Sequence, residues 1–406
     1  MSERKRGPFL LFLFLGPGML AAMADNDAGG ILSYALTGAK FGPAVFVPLT
    51  FCLMPVTYTV QEMAMRLGIV SNAGYTRLLR ERCGRGWMIC QVAALMVENL
   101  LTLMTEFVGM SAGLGLVGIQ RIPAVLLSGM LILSIALFSG YRKKERMGLL
   151  IGMYNLVFLF MAFTAHPGVG TAESLHLAEG GDFLWYAAAL IGNAVAPWMI
   201  FYQNSAYADG GTRKRRIQDG RKDVFAGCVC QVAVAAALIV IGSSVFGMVP
   251  NLETAGPSEL VAALSLRIGS AAGVLFALGL FNSGLLASIT VSLSSSFSIA
   301  QAFGWSNSLN ETFRQAPGFY AVYGISVFIA AGAVLIPGLP LNSVAVFVQV
   351  AGGVLMTPVL IFLTILTSSR QVMGECANTM GQKIRAWLCV AVLAAVCIFT
   401  ILRAAL

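Results

Sequence analysis

Long apolar segments follow one another from one end of the chain to the other, separated by shorter polar connections. Eleven of these segments are long enough to cross roughly 30 Å of hydrocarbon at about 1.5 Å per helical residue, so each predicts a membrane-spanning helix. The first and the sixth contain residues that interrupt a helix. The predicted spans are 8–37, 42–66, 87–117, 121–140, 147–166, 183–206, 223–248, 270–297, 318–337, 342–367 and 386–405.

The composition supports a membrane protein and argues against a soluble one. The 406 residues are 58% hydrophobic and only 11% charged, whereas soluble domains carry roughly 25% charged residues. An all-α polytopic membrane protein is therefore predicted, with residues 1–406 forming a single transmembrane domain in contact with the lipid bilayer. A soluble enzyme with one anchor is excluded because spanning segments recur throughout the chain.

The charge distribution predicts the orientation. With the N-terminus in the cytoplasm, all but four of the 26 lysines and arginines fall in cytoplasmic segments. This asymmetry follows the positive-inside rule, so a multi-pass protein of the plasma membrane with an external C-terminus is expected. The formal charge of +8 then reflects topology, and nucleic-acid binding is not indicated. The four exceptions are Lys40, Arg121, Arg267 and Arg403.

The first interrupted span carries the strongest chemical signal. Asp25, Asn26 and Asp27 lie within apolar sequence of spanning length and precede Gly29 and Gly30. Carboxylates at bilayer depth are costly and rarely lack a function, and glycines favour an interruption of the helix. Acidic side chains beside unwound backbone indicate a cation site, although a kinked helix end with solvated acids would give the same pattern.

The sixth span contains the second interruption. Pro197 cannot donate a backbone hydrogen bond, so carbonyls near Asn193 and Ala196 are expected to be free. The two interruptions are in the first spans of two five-span halves, and because five is an odd number the halves run in opposite directions, as in transporters built from inverted repeats. Repeat one is predicted at about 8–166, repeat two at about 183–367, and an extra helix at about 386–405.

Titratable residues in other parts of the spans indicate which reactions and ligands the site could support. Glu98 and Glu106 lie two helical turns apart in the third span and could complete a cation site or relay a proton, although a buried structural role would also explain them. His166 and His176 are the only histidines, and both precede the sixth span. The spans therefore lack the side chain best suited to proton transfer near neutral pH. No catalytic constellation is visible, so an enzyme is not expected.

At this point the residues resemble the Nramp family of divalent-metal transporters, in an order collinear over nearly the whole chain. The resemblance implies the inverted-repeat fold shared with the amino acid–polyamine–organocation transporters, with helices 1 and 6 discontinuous. The segments that carry it are Gly16-Pro17-Gly18 to Asp27-Ala28-Gly29-Gly30, Thr37 to Gly42, Arg66 to Val70, Thr105-Glu106, Gly140 to Lys143 and Thr367 to Glu375.

The resemblance also implies roles for residues of the first span. The metal-binding aspartate of the family's Asp-Pro-Gly-Asn motif matches Asp27, and a carbonyl ligand three residues earlier matches Ala24. The asparagine ligand of the motif matches Gly30, so that ligand is lost. Asp25 and Asn26 add two oxygen-bearing side chains beside it.

Further departures fall in the other spans. The family's Met-Pro-His reads Ala196-Pro197-Trp198 here, and its second histidine is Gln203. A proton-route aspartate falls at Leu103, whereas the glutamate that accompanies it is kept as Glu106. The family's glutamine ligand of the tenth span falls near Leu355 or Met356.

These departures favour a hard cation. Ala196 removes a soft thioether, the remaining donors are oxygens, and Gly30 and Ala196 are expected to enlarge the site, which suits a partly hydrated magnesium ion. The sequence thus resembles the divergent Nramp-related magnesium transporters, and loss of titratable groups favours weak or no proton coupling. A manganese or iron transporter, possibly proton-coupled, and a carrier of amino acids or amines with the same fold are the alternatives. The divalent cation would be the cargo, no resident cofactor is expected, and the oligomeric state is left open.

Overall fold

The structure, a computed structural model, is built from helices. The structure describes residues 16–137, 141–166, 180–209, 217–248, 257–336 and 341–405, and the part of the chain within these ranges contains no strand. The helices are α1 Pro17–Asp25, α2 Ala28–Phe41, α3 Phe46–Ser71, α4 Tyr75–Cys83, α5 Arg85–Gly115, α6 Arg121–Leu137, α7 Tyr141–Met153, α8 Val157–Thr164, α9 Gly180–Ala194, α10 Pro197–Asp209, α11 Ile217–Ser243, α12 Pro257–Ile268, α13 Ser270–Phe303, α14 Pro317–Val334, α15 Leu341–Ser368, α16 Arg370–Met373 and α17 Met380–Ala405.

The eleven predicted spans coincide with these helices. In the described residues, eight helical segments are long and apolar enough to cross a membrane, and the other three predicted spans fall on α1–α2, α3 and α6. Both predicted interruptions are present, between α1 and α2 and between α9 and α10. The first predicted span begins at residue 8, outside the described residues.

The two broken helices lie at the centre of the bundle. α1 and α2 pack against α11, α2 also packs against α15 and α5, and α10 packs against α3 and α13. Nearly every residue of α1 and α2 is buried, as expected for helices that are apolar all round and surrounded by other helices. α17 lies outside both sets of five spans and packs mainly on α15.

The start of α1 is capped by a residue from another span. Gly16 has no side chain that could cap the helix, and Pro17 has no N–H group. The backbone N–H groups of Gly16 and Gly18 donate instead to the carboxylate of Asp223 on α11, at 2.7 and 3.0 Å. The Tyr207 hydroxyl donates to the same carboxylate at 2.5 Å. Asp223 thus holds the unpaired donors of the first turn of α1.

A buried guanidinium group connects the second predicted span to a segment that lies after the tenth. Arg66 on α3 donates to the Glu62 carboxylate at 3.0 Å, to the Cys376 carbonyl at 2.6 Å and to Asn378 Oδ1 at 2.6 Å. Arg221 on α11 reaches the same Glu62 carboxylate at 3.0 Å. These contacts tie α3 to the connection between α15 and α17.

Four aromatic rings meet where α2 ends and where α3 and α9 begin, on the side that the charge pattern predicts to be external. Phe41 lies 5.3 Å from Phe46 and 5.3 Å from Tyr186 between ring centroids. Phe183 lies 5.1 Å from Phe46. The Lys40 ammonium lies 5.1 Å from the centre of the Tyr186 ring. We call Phe41, Phe46, Phe183 and Tyr186 the outer aromatic cluster.

Candidate functional site

The break between α1 and α2 frees a backbone carbonyl. In a continuous helix, the Ala28 N–H would donate to the Ala24 carbonyl. Here it donates to Glu106 Oε2 on α5 at 2.9 Å. The Ala24 carbonyl therefore loses its helical donor, as the family resemblance implies for a carbonyl ligand.

Asp27 is the N-cap of α2 and the centre of the site. Its backbone is extended, with φ −71° and ψ 173°, and its carboxylate accepts a hydrogen bond from the Gly30 N–H. Gln349 Nε2 on α15 lies 3.4 Å from Asp27 Oδ1, and the Glu106 carboxyl is also within hydrogen-bonding reach of the Asp27 carboxyl. Two neighbouring carboxylates repel each other, and a proton or a cation between them relieves that repulsion.

The break between α9 and α10 frees a second carbonyl. Pro197 has no N–H, so the Asn193 carbonyl lacks its helical donor. The next carbonyl, that of Ala194, accepts from Thr57 Oγ1 at 3.2 Å and from Gln231 Nε2 at 3.3 Å. The side chains of two neighbouring spans thus stabilise the interruption.

The space beside Gly30 is filled by a neighbour, so the expected enlargement at this position is wrong. A Cβ atom built on Gly30 would lie 2.7 Å from Asn193 Oδ1, 2.8 Å from Asn193 Nδ2 and 2.9 Å from Asp27 Oδ1. The Asn193 side chain therefore lies over Gly30 and next to the Asp27 carboxylate. Gly29 is needed for a similar reason, since a Cβ there would lie 2.9 Å from Thr105 Oγ1.

Asp25 and Asn26 face a different span from Asp27. The Gln231 side-chain amide donates to Asp25 Oδ2, and Asn26 Nδ2 donates to the Gln231 carbonyl at 3.2 Å. Gln61 Nε2 on α3 donates to Gln231 Oε1 at 3.2 Å. Asp25 and Asn26 thus form a second polar layer, which is connected through Gln231 and Ala194 to the break of α9 and α10.

The residues at the departures from the family pattern are buried in the same region. Ala196 lies in the second break, and its carbonyl accepts from the Met199 N–H at 3.2 Å. Trp198 is a fully buried side chain in the first turn of α10, and Leu103 is fully buried on α5. Gln203 is buried on α10, and neither of its amide atoms has a hydrogen-bond partner among the described residues.

Leu355 and Met356, where the resemblance places the family's glutamine ligand, have no side-chain oxygen. Gln349, one to two helical turns earlier on α15, is a residue of the tenth span that reaches Asp27. Leu355 lines a separate apolar cavity between α5 and α15, together with Trp87 and Leu95. Sequence reasoning also missed Gln231. In both cases, a lone amide side chain in an apolar span was the available signal.

Of the other acids, Glu98 and Glu62 differ in their surroundings. Glu98 accepts from Thr102 Oγ1 at 3.2 Å, and its second oxygen has no hydrogen-bond partner within the described ranges. Glu62 is occupied by its pairs with Arg66 and Arg221. Glu106 therefore belongs to the Asp27 site, Glu98 lies nearby, and Glu62 serves the Arg66 network.

The arrangement is suited to hold a hard cation. Its donors are carboxylate, amide and carbonyl oxygens, and no group of three His, Cys, Asp or Glu residues lies within metal-binding distance in the described part of the chain. Asp27 is 3% exposed and Gln349 is 5% exposed, so the site is closed to both faces of the bundle. An ion can enter or leave only if the helices around it move.

Residues 18–403 match the sequence model of the family described as Nramp, natural resistance-associated macrophage protein-like. The chain is 25% identical to the divalent metal cation transporter MntH of Levilactobacillus brevis, over 97% of this chain and 89% of that protein. The fold is similar to a manganese transporter of Eremococcus coleocola, with a TM-score of 0.77 and 19% identity over 99% of this chain and 89% of that one. It is also similar to MhsT in complex with L-phenylalanine, with a TM-score of 0.62 and 13% identity over 94% of this chain and 98% of that one.

Proposed function

This chain belongs to the Nramp family, and from that membership we propose that it carries a divalent metal cation across the membrane by alternating access, with magnesium as its physiological ion. The observation that carries the magnesium assignment is the donor set around Asp27. The Gln349, Asn193 and Glu106 side chains near this carboxylate offer oxygen or a hydrogen bond, and Ala196 stands where the resemblance places a thioether.

The ligand chemistry favours magnesium over softer ions. Magnesium prefers oxygen ligands and keeps several waters when it is bound, whereas thioethers select softer metals. Asp27 supplies the negative charge, and the freed carbonyls of Ala24 and Asn193 supply neutral oxygens. The amides of the second polar layer, Asn26 and Gln231, can hydrogen-bond to waters that the ion retains.

Weak or absent proton coupling follows from the same departures. Leu103, Trp198 and Gln203 cannot transfer protons, and they occupy positions where the resemblance places titratable groups. Glu106 remains, but it accepts the Ala28 N–H and lies against Asp27. Its position suits stabilisation of the break more than a proton route.

Two alternatives make different predictions. The curated relatives are named as divalent metal cation transporters and a structural neighbour as a manganese transporter, so a manganese carrier is the first alternative. A carrier of amino acids is the second, because the fold is shared with a protein bound to L-phenylalanine. The carboxyl groups of Asp25, Asp27 and Glu106 suit a dication better than a zwitterion.

The deciding experiment is uptake by proteoliposomes that contain the purified protein. Magnesium, manganese and calcium should be compared at equal concentrations, with a dye inside the vesicles that reports pH. Magnesium uptake without acidification is expected. Uptake of manganese but not of magnesium would establish the first alternative, and acidification in proportion to metal entry would disprove weak coupling and indicate Glu106 or Glu98 as the proton relay.

A further inference from the structure

We propose that the Asn193 side chain is a selectivity-determining ligand, which supplies from the second repeat the amide oxygen that the first broken helix lacks at Gly30. This inference rests on the proposed function and concerns the same site. It assigns to a residue of α9 a role that the family resemblance places on α2, and it makes the small size of Gly30 a requirement of the site.

The first observation is steric. A Cβ atom at position 30 would lie within 3 Å of both amide atoms of Asn193 and of Asp27 Oδ1. Real Cβ contacts are longer than this, so a side chain at position 30 would force the Asn193 amide to turn away. The two positions therefore compete for the same space, and this chain has glycine at one and asparagine at the other.

The second observation is an unsatisfied polar group. Asn193 is 1% exposed, and its Nδ2 has no hydrogen-bond partner in the described part of the chain. A buried amide N–H without an acceptor is costly, and a water retained by an ion at Asp27 would supply that acceptor. The Tyr34 hydroxyl lies beside this amide. With a cation at Asp27, the amide oxygen would face the ion and the amide nitrogen would face Tyr34.

The consequence concerns how the ion is held. Asp27 belongs to the first repeat and Asn193 to the second, so an ion between them binds both halves of the transporter. Hard oxygen ligands suit both magnesium and manganese. A ligand on a separate helix, however, can lie far enough from Asp27 to leave room for a water that the ion retains. Asn193 should thus affect the ratio of magnesium to manganese affinity and not only the overall affinity.

The test is calorimetric binding of magnesium chloride and manganese chloride to four purified variants. Asn193→Ala should weaken magnesium binding by at least about tenfold, the lower range for groups that support a metal ligand. Gly30→Asn alone should bind poorly, because the new side chain meets the Asn193 amide. The double variant Gly30→Asn/Asn193→Ala should recover magnesium binding to within about threefold of the wild type, since the amide is restored from the other helix. The control is Asn99→Ala, since Asn99 is equally buried but donates to Ser295 on α13 at 2.8 Å.

The outcomes separate this inference from the function on which it rests. If the wild type binds neither metal, the proposed function fails. If the wild type binds magnesium and Asn193→Ala binds it equally well, the function stands and the assignment of Asn193 is wrong. If both single variants are impaired but the double variant is no better than either, the two positions do not share one ligand space and the assignment also fails.

Discussion

Asp27 is the residue on which the proposed site depends, since it is the carboxylate at the centre of the two breaks. We expect Asp27→Asn to reduce magnesium affinity by at least about a hundredfold, more than the loss of an outer-shell group. The fold should be retained, because a buried acid next to Glu106 adds little stability. Calorimetry and thermal unfolding in detergent would measure both effects. Glu375→Gln, which alters an exposed carboxylate, is the control. Unchanged magnesium binding by Asp27→Asn would remove the site from this location.

Ala196 is expected to determine the preference between hard and soft ions. Ala196→Met would place a thioether in the second break, and one such contact should contribute on the order of 1–2 kcal/mol, about tenfold in manganese affinity relative to magnesium. Competition between the two metals in a binding assay would measure this ratio. If the wild type already binds manganese about a hundredfold more tightly than magnesium, and if Ala196→Met leaves this ratio unchanged, the manganese alternative is favoured.

At the residue scale, the sequence predicted the components of the first interruption but not their partners. Asp27, Ala24 and Glu106 could be identified because they are adjacent in the chain or form a recurrent motif. Gln349 and Gln231 could not, since a single amide in an apolar span does not show which helix it faces. The expected space at Gly30 was wrong because a deleted side chain leaves room only if no neighbour moves into it.

The start of α1 illustrates how one helix can depend on another. Asp223 accepts hydrogen bonds from the backbone of α1 and from Tyr207, and hydrogen bonds to a charged group contribute about 1.5–3 kcal/mol each. In Asp223→Asn the charge is lost, so we expect opening of α1 to become easier by about 2 kcal/mol, or roughly thirtyfold in amide exchange. Hydrogen–deuterium exchange over residues 16–25 would measure it.

The matched control for this prediction is Asp219→Asn, one turn earlier on the same helix and partly exposed. It should leave exchange over residues 16–25 unchanged. Equal protection of α1 in Asp223→Asn and in the wild type would show that the cap does not hold the helix.

The helices themselves were predicted well because length and hydrophobicity determine a span. The boundaries differ by a few residues, as for the second span, which was expected at 42–66 and is Phe46–Ser71. α4 and α12 were not predicted, since nine and twelve residues are too short to cross a bilayer. Leu79 on α4 and Leu264 on α12 are buried by contacts with other helices, and the pattern of apolar residues in the sequence does not show these contacts.

At the scale of the whole molecule, the Arg66 network joins segments about 310 positions apart in the chain. Arg66→Ala would remove the hydrogen bonds of a charged donor to Glu62, Cys376 and Asn378, each of which contributes about 1.5–3 kcal/mol, and would leave Glu62 paired only with the partly exposed Arg221. Arg66→Ala should therefore lower the unfolding temperature strongly. Arg77→Ala is the control, because its pair with Glu81 is exposed and should contribute less than about 1 kcal/mol. Similar unfolding temperatures for the two variants would contradict this role of Arg66.

The outer aromatic cluster has a thermodynamic consequence for the transport cycle. Phe41 and Phe46 are almost completely buried, so opening on this side brings aromatic surface into contact with water. Exposure of apolar surface raises the heat capacity of the protein, so the free energy of opening depends on temperature in a non-linear way. The equilibrium between the closed and the externally open protein should therefore have a curved van 't Hoff plot, and cooling should favour the open form as hydrophobic association weakens.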